Sequence, residues 1–458
     1  MRRGTALAIV CATALALGAG AYVAADIADR APGVLTSSEA PMPAPPPGFA
    51  PQTPQSLPVP VAPAGEEPSA DAVAALWGPV AQAATDGKWT TWGTVVDAET
   101  GDVLLDASAQ QAHTPASTTK ILASFAALST LDPTATLTTS VEAQGSRLRL
   151  ASQGDMLLAA GESDPDEVNG RAGLATLAER TAAALRESGT TSVTVDWAGD
   201  LFDGPNRLAA WTVQGAGNYE GAVGAMAIDA GRTAPDAYAF VDDPEGVAAS
   251  AFVAALNAQG ISAVLGSETP SLDGATSIAS VESAPLAEQI RWMLHNSDNT
   301  LADQYCRLTA RALGVEASYG GSVSAMRSAL EKAGVPTTGL SLGDCSGLSS
   351  EDRIAPATLV GAIRASLTAK GALAELPRSL PWAGVDGTME HRMTGGAALG
   401  NAQAKTGSLA AVSSLAGIVQ TSSGRLLVFA VGNDSVPEDA AALTRPFLDA
   451  FITGLAGL

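Results

Sequence analysis

Strand-like stretches sit at both ends of the foldable part of this chain, and that separation constrains the fold more than any other feature. Near the start, "WTTWGTVVDAETGDVLLDA" (residues 89–107) reads as two strands around a turn at Glu99–Asp102. Near the end, "NAQAKTGSL", "AVSSLAGIVQTS" and "GRLLVFAVG" read as three successive strands with short turns. A two-stranded hairpin alone is marginal in water. The two early and three late strands are therefore expected to join in one five-stranded antiparallel sheet. A helix over "ADAVAALWGPVAQAA" and a closing helix through "ALTRPFLDAFITGL" would cover it. This is an α/β chain of the α+β kind. Residues 70–138 and 283–458 form its main domain, and residues 139–282 leave and re-enter it as an inserted mixed α/β module. The insertion holds the helical "GLATLAERTAAALRES" and the strand-like "TSVTVDWAG".

What precedes the folded part sets the compartment. Arg2 and Arg3 stand before an uncharged stretch, Gly4–Ala25. Residues 1–25 suit either a secretory signal, with Val23 and Ala25 as the small residues of a cleavage site, or an uncleaved membrane anchor. Both place the rest of the chain outside the cytoplasm, secreted or anchored at the cell envelope. Residues 26–69 carry repeated prolines without apolar periodicity, which favours an extended spacer over a core. The formal net charge is −22, and such a field repels phosphate backbones, which argues against a nucleic-acid partner. Of three cysteines, Cys11 lies in the apolar segment. Cys306 and Cys345 lie in the exported part, where they either pair as a disulfide or remain separate buried thiols.

Three short motifs carry chemistry. "TPASTTKILASF" places Ser117 three positions before Lys120 at a predicted helix start, so both share one face. A serine hydroxyl needs a base within hydrogen-bond reach to act as a nucleophile, and this spacing supplies one. Alone, such a pair is more often solvated helix surface. Ser297–Asp298–Asn299 falls between two helical stretches, where each residue type also serves as a helix cap. Lys405–Thr406–Gly407–Ser408 falls on a predicted strand, where an ammonium and hydroxyls can hold a carboxylate. No spacing of His113, His295 and His391 suggests a metal site, and no cofactor motif occurs.

In this order the three motifs are the signature of penicillin-binding proteins and class A β-lactamases. The chain resembles the low-molecular-mass penicillin-binding proteins of the D-Ala-D-Ala carboxypeptidase/endopeptidase family, peptidase family S13. "SDNTLADQYCR", "GDCSGLSSEDRIAP", "LPWAGVDGTMEHRM" and "AKTGSL" followed by "SSLAGIV" carry the resemblance, which runs from about residue 70 onward. The 177 positions between Lys120 and Ser297 fit that family and exceed the usual β-lactamase gap. Three departures stand out: Ser408 for the commoner threonine, Cys345 for the usual glycine, and an insertion shorter than the two-domain version.

The resemblance implies a serine peptidase acting on peptidoglycan stem peptides and cross-links, with β-lactams as covalent inhibitors. Ser117 would be the acylated nucleophile and Lys120 its base, its pKa lowered by partial burial and by Lys405. Backbone N–H groups of Ser117 and Ser408 would form the oxyanion hole, and Ser297 would relay a proton to the leaving amine. Asn299 would position the substrate amide, while Lys405, Thr406, Gly407 and Ser408 would form the carboxylate-binding strand. Asp298 reads as a turn-stabilising carboxylate. Two alternatives share the fold: a serine β-lactamase, disfavoured because no Glu-x-x-Leu-Asn stretch follows the second motif, and a non-catalytic cell-wall scaffold, disfavoured because the motif residues are intact.

Overall fold

The computed structural model describes residues 65–458 apart from 236, 438 and 439. The apolar N-terminal segment and the proline-rich spacer up to residue 64 lie outside the described residues. Among the described residues, no helix is long and apolar enough to cross a membrane.

The main sheet closes from both ends of the sequence. Strands β1 (Thr90–Asp97) and β2 (Val103–Ala107) pair with β10 (Ala402–Leu409), β11 (Val412–Gln420) and β12 (Leu426–Asp434) in the order β10-β11-β12-β1-β2. Every neighbouring pair is antiparallel, and β1 meets β12 in the register Thr90↔Asp434 to Asp97↔Leu427. The expected five-stranded antiparallel sheet is thus present, and the fold is α+β.

Side-chain alternation along β12 explains why it is apolar throughout. Leu427, Phe429 and Val431 face a layer built from α1 (Ala70–Gly87) and the closing helix α9 (Ala441–Ala456), where Trp77 meets Phe451 edge-on with ring centres 5.0 Å apart. Val428 and Ala430 face the opposite layer, which contains α2 (Lys120–Thr130). A strand sandwiched between two helical layers has no polar face. Ser69 caps α1 by accepting from Ala72 N at 3.2 Å, and α9 starts at Ala441.

A second sheet uses strands β3 (Thr138–Gln144), β4 (Arg147–Ser152), β6 (Ser192–Trp197), β8 (Ser262–Glu268) and β9 (Thr276–Glu282), ordered β8-β6-β4-β3-β9 and mixed in direction. Helices α3 (Leu174–Glu187) and α4 (Pro244–Ala258) bury Leu177, Ala178 and Phe252 against it. A small parallel pair, β5 (Asp155–Leu158) with β7 (Met226–Ile228), adjoins it in sequence. Leu137 and Ser283, which flank the strands of this second sheet in sequence, are hydrogen-bonded neighbours: Leu137 N donates to Ser283 Oγ at 2.8 Å, and Ser283 N donates to Leu137 O at 3.1 Å. Helices α5 (Leu286–Asn296), α6 (Asn299–Ala312), α7 (Tyr319–Lys332) and α8 (Pro356–Thr368) complete the layer around α2.

Candidate active site

Ser117 lies in a single 3-10 turn, Ala116–Thr119, that runs directly into α2. The turn is wedged from two sides by glycines. A Cβ on Gly347 (φ +79°) would strike the carbonyl of Ala116, and a Cβ on Gly407 of β10 would come within 2.7 Å of Pro115 O. Ser414 of β11 donates to that same Pro115 carbonyl at 2.6 Å. Strand and loop therefore clamp the turn from both sides.

Lys120, the first residue of α2, is fully buried. Its Nζ donates to Ser117 Oγ at 3.0 Å, to Asn299 Oδ1 at 2.6 Å and to Ser346 O at 2.8 Å. The first partner was expected from the spacing of Ser117 and Lys120, whereas Asn299 was expected to position the substrate amide. The third, a backbone carbonyl in the "GDCSGLS" loop, carries no side-chain signal.

The second motif is the junction between α5 and α6. Ser297 takes a left-handed conformation (φ 55°, ψ 37°) that ends α5. Asp298 then caps α6, its Oδ1 accepting from Leu301 N at 2.9 Å, and pairs with Arg232 at 2.5 Å, which suits the turn-stabilising reading. Asn299 is held from both ends of its amide, because its Nδ2 also donates to Tyr219 O at 2.8 Å. That second contact brings in a residue from between the strands of the second sheet.

The third motif lies on the edge strand β10, yet Lys405 is fully buried. Its Nζ donates to Thr406 O at 2.8 Å. Thr406 Oγ1 donates to Thr388 Oγ1 at 2.9 Å, and Ser408 Oγ accepts from Arg445 Nη2 at 3.0 Å. Thr388 lies in the "LPWAGVDGTMEHRM" stretch, where it had no role assigned, and Arg445 had no motif to announce it.

Ser117, Ser297, Asn299 and Ser408 line one cleft of about 1000 Å³, with Tyr219, Arg232, Tyr238, Trp292 and Thr388 also on its walls. That volume is at the upper end for small-ligand pockets and suits an extended peptide. Lys120 and Lys405 stand behind this wall, supporting it from within the fold.

The electrostatics bring the neutral form of the lysine beside the serine within reach. Burial pushes Lys120 down to about 8, while the carboxyl groups of Glu220, Asp344, Asp298 and Asp303 pull the other way. Burial is complete here, where the sequence suggested only partial burial. Lys405 is driven well below the ordinary lysine range by burial first, then by Lys120 and Arg392. The acids beneath are themselves perturbed: burial raises Asp303 to about 7 and Glu220 well above its usual range. Ser346 joins the two layers. Its carbonyl accepts from Lys120, while its hydroxyl oxygen lies 3.1 Å from Asp344 Oδ1 and 3.3 Å from Glu220 Oε2.

Two expectations outside the cleft also have a definite structural outcome. Cys306 on α6 and Cys345 form a disulfide with Cα atoms 6.5 Å apart, tying the helix that begins with Asn299 to the loop that carries Ser346. His113 Nδ1 lies 2.9 Å from Asp434 Oδ2, a carboxylate that accepts, and the ring stacks on Trp92, which is a structural placement. Among the described residues, no group of three or more His, Cys, Asp or Glu is arranged to hold a metal ion.

The arrangement places a buried amine beside a serine in a cleft of peptide size. The profile of the D-Ala-D-Ala carboxypeptidase 3 (S13) family matches residues 76–240 and 236–453. Carboxypeptidase DacB of Mycolicibacterium smegmatis is 36% identical over 365 residues, covering 77% of this chain and 78% of the relative. A carboxypeptidase of Mycobacterium tuberculosis is 34% identical over 415 residues, covering 88% of each chain. The crystal structure of penicillin-binding protein 4 from Haemophilus influenzae shares the fold, with a TM-score of 0.68 at 19% identity over 83% of this chain and 99% of that one. With this match along nearly the whole described chain, the protein belongs to the D-Ala-D-Ala carboxypeptidase (S13) family of serine peptidases.

Proposed function

We propose that this protein is a serine-type D-Ala-D-Ala carboxypeptidase that works outside the cytoplasm on peptidoglycan stem peptides through an acyl-enzyme on Ser117. The observation that carries this reading is the 3.0 Å contact between Lys120 Nζ and Ser117 Oγ, with the lysine buried and lowered to about 8. An amine so placed takes the hydroxyl proton directly. The carboxypeptidase relatives support the substrate class, and the fold is shared with a Haemophilus influenzae protein solved in complex with a β-lactam.

In this mechanism Ser117 Oγ bonds to the carbonyl carbon of the penultimate D-alanine as its proton passes to neutral Lys120. Backbone N–H groups of Ser117 and Ser408 receive the oxyanion, and one such donor is typically worth about 3 kcal/mol. The C–N bond breaks, the departing nitrogen takes a proton through Ser297, and D-alanine leaves. Water then attacks the ester, and Ser117 regains its proton. Asn299 orients the peptide amide, while Thr406 and Ser408, backed by Lys405, receive the terminal carboxylate. A β-lactam would follow the same path to a ring-opened ester on Ser117. The same ester also serves cleavage of D-amino-acid cross-links. Gly4–Ala25 is the segment that would export or anchor the chain.

Purified protein given a muropeptide ending in D-Ala-D-Ala should release D-alanine, and Ser117→Ala should lose at least about 10³-fold in rate. A wild-type protein that released no D-alanine and cut no cross-link would sink this reading.

A further inference from the structure

Behind Lys120 lies a group of buried acids that the reaction as described does not use. Glu220 comes from the segment before β7, Asp303 from α6, and Asp344 and Asp352 from the loop that carries Ser346. Asp344 is well supplied with donors: Trp211 Nε1 at 2.8 Å, Gly347 N at 2.7 Å and Ser349 N at 2.9 Å. Glu220 and Asp303 are not. Cys345 N donates to Asp303 Oδ1 at 2.8 Å. Glu220 Oε2 has the Ser346 hydroxyl at 3.3 Å, whose single proton Asp344 also faces at 3.1 Å. Among the described residues, Glu220 Oε1 and Asp303 Oδ2 meet no N–H or O–H donor. Yet the two carboxyl groups lie within hydrogen-bonding reach of each other. Two buried carboxylates in contact repel, and two acceptors cannot satisfy each other. One proton between them removes both faults, because it turns one oxygen into a donor.

We propose that Glu220 and Asp303 share one proton and hold a single negative charge behind Lys120, as positioning residues that set the pH at which Lys120 becomes a base. The inference rests on the reading of Lys120 as the base for Ser117. Two backbone links join the pair to that lysine. Ser346 O accepts from Lys120 Nζ at 2.8 Å while its hydroxyl faces Glu220, and Cys345 N, one residue earlier, holds Asp303. Because Asp303 has that N–H, the shared proton lies towards Glu220. Arg307 of α6, Tyr319 of α7 and the loop acids Asp344 and Asp352 also face the pair. Arg307 donates to Pro205 O at 2.6 Å and to neither acid, so the charge stays unneutralised. Lys120 is faced in addition by Asp298, which Arg232 holds, and by Lys405 of β10. Asp298 is thus already paired, and Lys405 repels, which leaves the acid pair to oppose the burial that lowers Lys120.

Acylation of Ser117 by benzylpenicillin, read by mass from pH 5 to pH 10, tests this in wild type, Glu220→Gln, Asp303→Asn and the double variant. Each single amide mimics the protonated partner and leaves the other acid charged, so the break in the pH profile should stay where it is in wild type. The double variant carries no charge there, and its break should move down by at least about one pH unit. A shift in either single variant, or none in the double, would overturn the proposal. The proton itself is read in the wild type, which depends on no variant folding. With glutamate isotope-labelled at its side-chain carboxyl, the infrared spectrum at pH 8 should contain the carbonyl band of a protonated acid. Glu245, raised to about 6 by burial, is ionised there, so the band reports Glu220. Absence of the band would overturn the shared proton. A profile flat in all four proteins removes Lys120 as the base and the tuning role with it. A wild type that is acylated, shows the band and releases no D-alanine removes the carboxypeptidase reading and upholds the pair.

Discussion

Lys120 directs its three N–H groups to three acceptors, Ser117 Oγ, Asn299 Oδ1 and Ser346 O, inside a fully buried site. Geometry thus satisfies the ammonium while burial works against its charge, and the balance falls at about 8. Only the neutral amine can take the Ser117 proton, and its fraction rises as pH climbs through that value. Acylation of Ser117 by a β-lactam should therefore increase about tenfold per pH unit below 8 and level off above it, as followed by rapid mixing. A profile flat from pH 6 to pH 9 would remove Lys120 as the base. At this scale the sequence was most legible where residues lie three apart on one face, as Ser117 and Lys120 do. It was silent on Ser346 O and Tyr219 O, since backbone carbonyls leave no mark in residue identity. Arg445 and Thr388 were hidden for another reason: only the folded chain brings them beside Ser408 and Thr406.

Elements declare themselves through periodicity, and the strands and longer helices did so here. Their junctions did not. The 3-10 turn at Ala116–Thr119 is fixed by neighbours that pack on it, Gly347 and Gly407, which lie far away in sequence, and Ser297 ends α5 in the left-handed region. The disulfide acts on one of these junctions. With 39 positions between its cysteines, it restrains the unfolded chain and pins α6 to the loop that holds Lys120. Replacing both Cys306 and Cys345 by serine should cost about 2–4 kcal/mol of unfolding free energy, measured by denaturant titration. Because Ser346 sits one residue from Cys345, acylation of Ser117 should slow as well. A double variant with wild-type stability would show that the crosslink contributes nothing.

Among the described residues, burial raises the pKa of several carboxyl groups. Asp155 and Asp303 are raised to about 7 and Glu245 to about 6, in each case chiefly by burial. A carboxyl whose folded pKa is raised contributes stability that is complete below its unfolded pKa and is lost as pH rises through the folded value. These groups should therefore make stability fall between about pH 4 and pH 7. Burial lowers His295 to about 4, which acts in the opposite direction over part of that window. Asp303→Asn removes one of the raised acids and should flatten the fall by up to about 1.4 kcal/mol per pH unit, read from denaturation midpoints at pH 4 through 7. An unaltered slope would mean that Asp303 is ionised in the folded protein.

The pairing of β1 with β12 also has a consequence in time. Ribosomes deliver a chain from its N-terminus, so Ser117 and Lys120 emerge long before Lys405 and the last strand of the sheet. Until Leu426–Asp434 arrives, Thr90–Asp97 has only its hairpin partner, and the clamp around the nucleophile's turn lacks the β10 and β11 side that Gly407 and Ser414 provide. The surroundings of Ser117 and Lys120 are thus complete only when the C-terminal region closes the sheet.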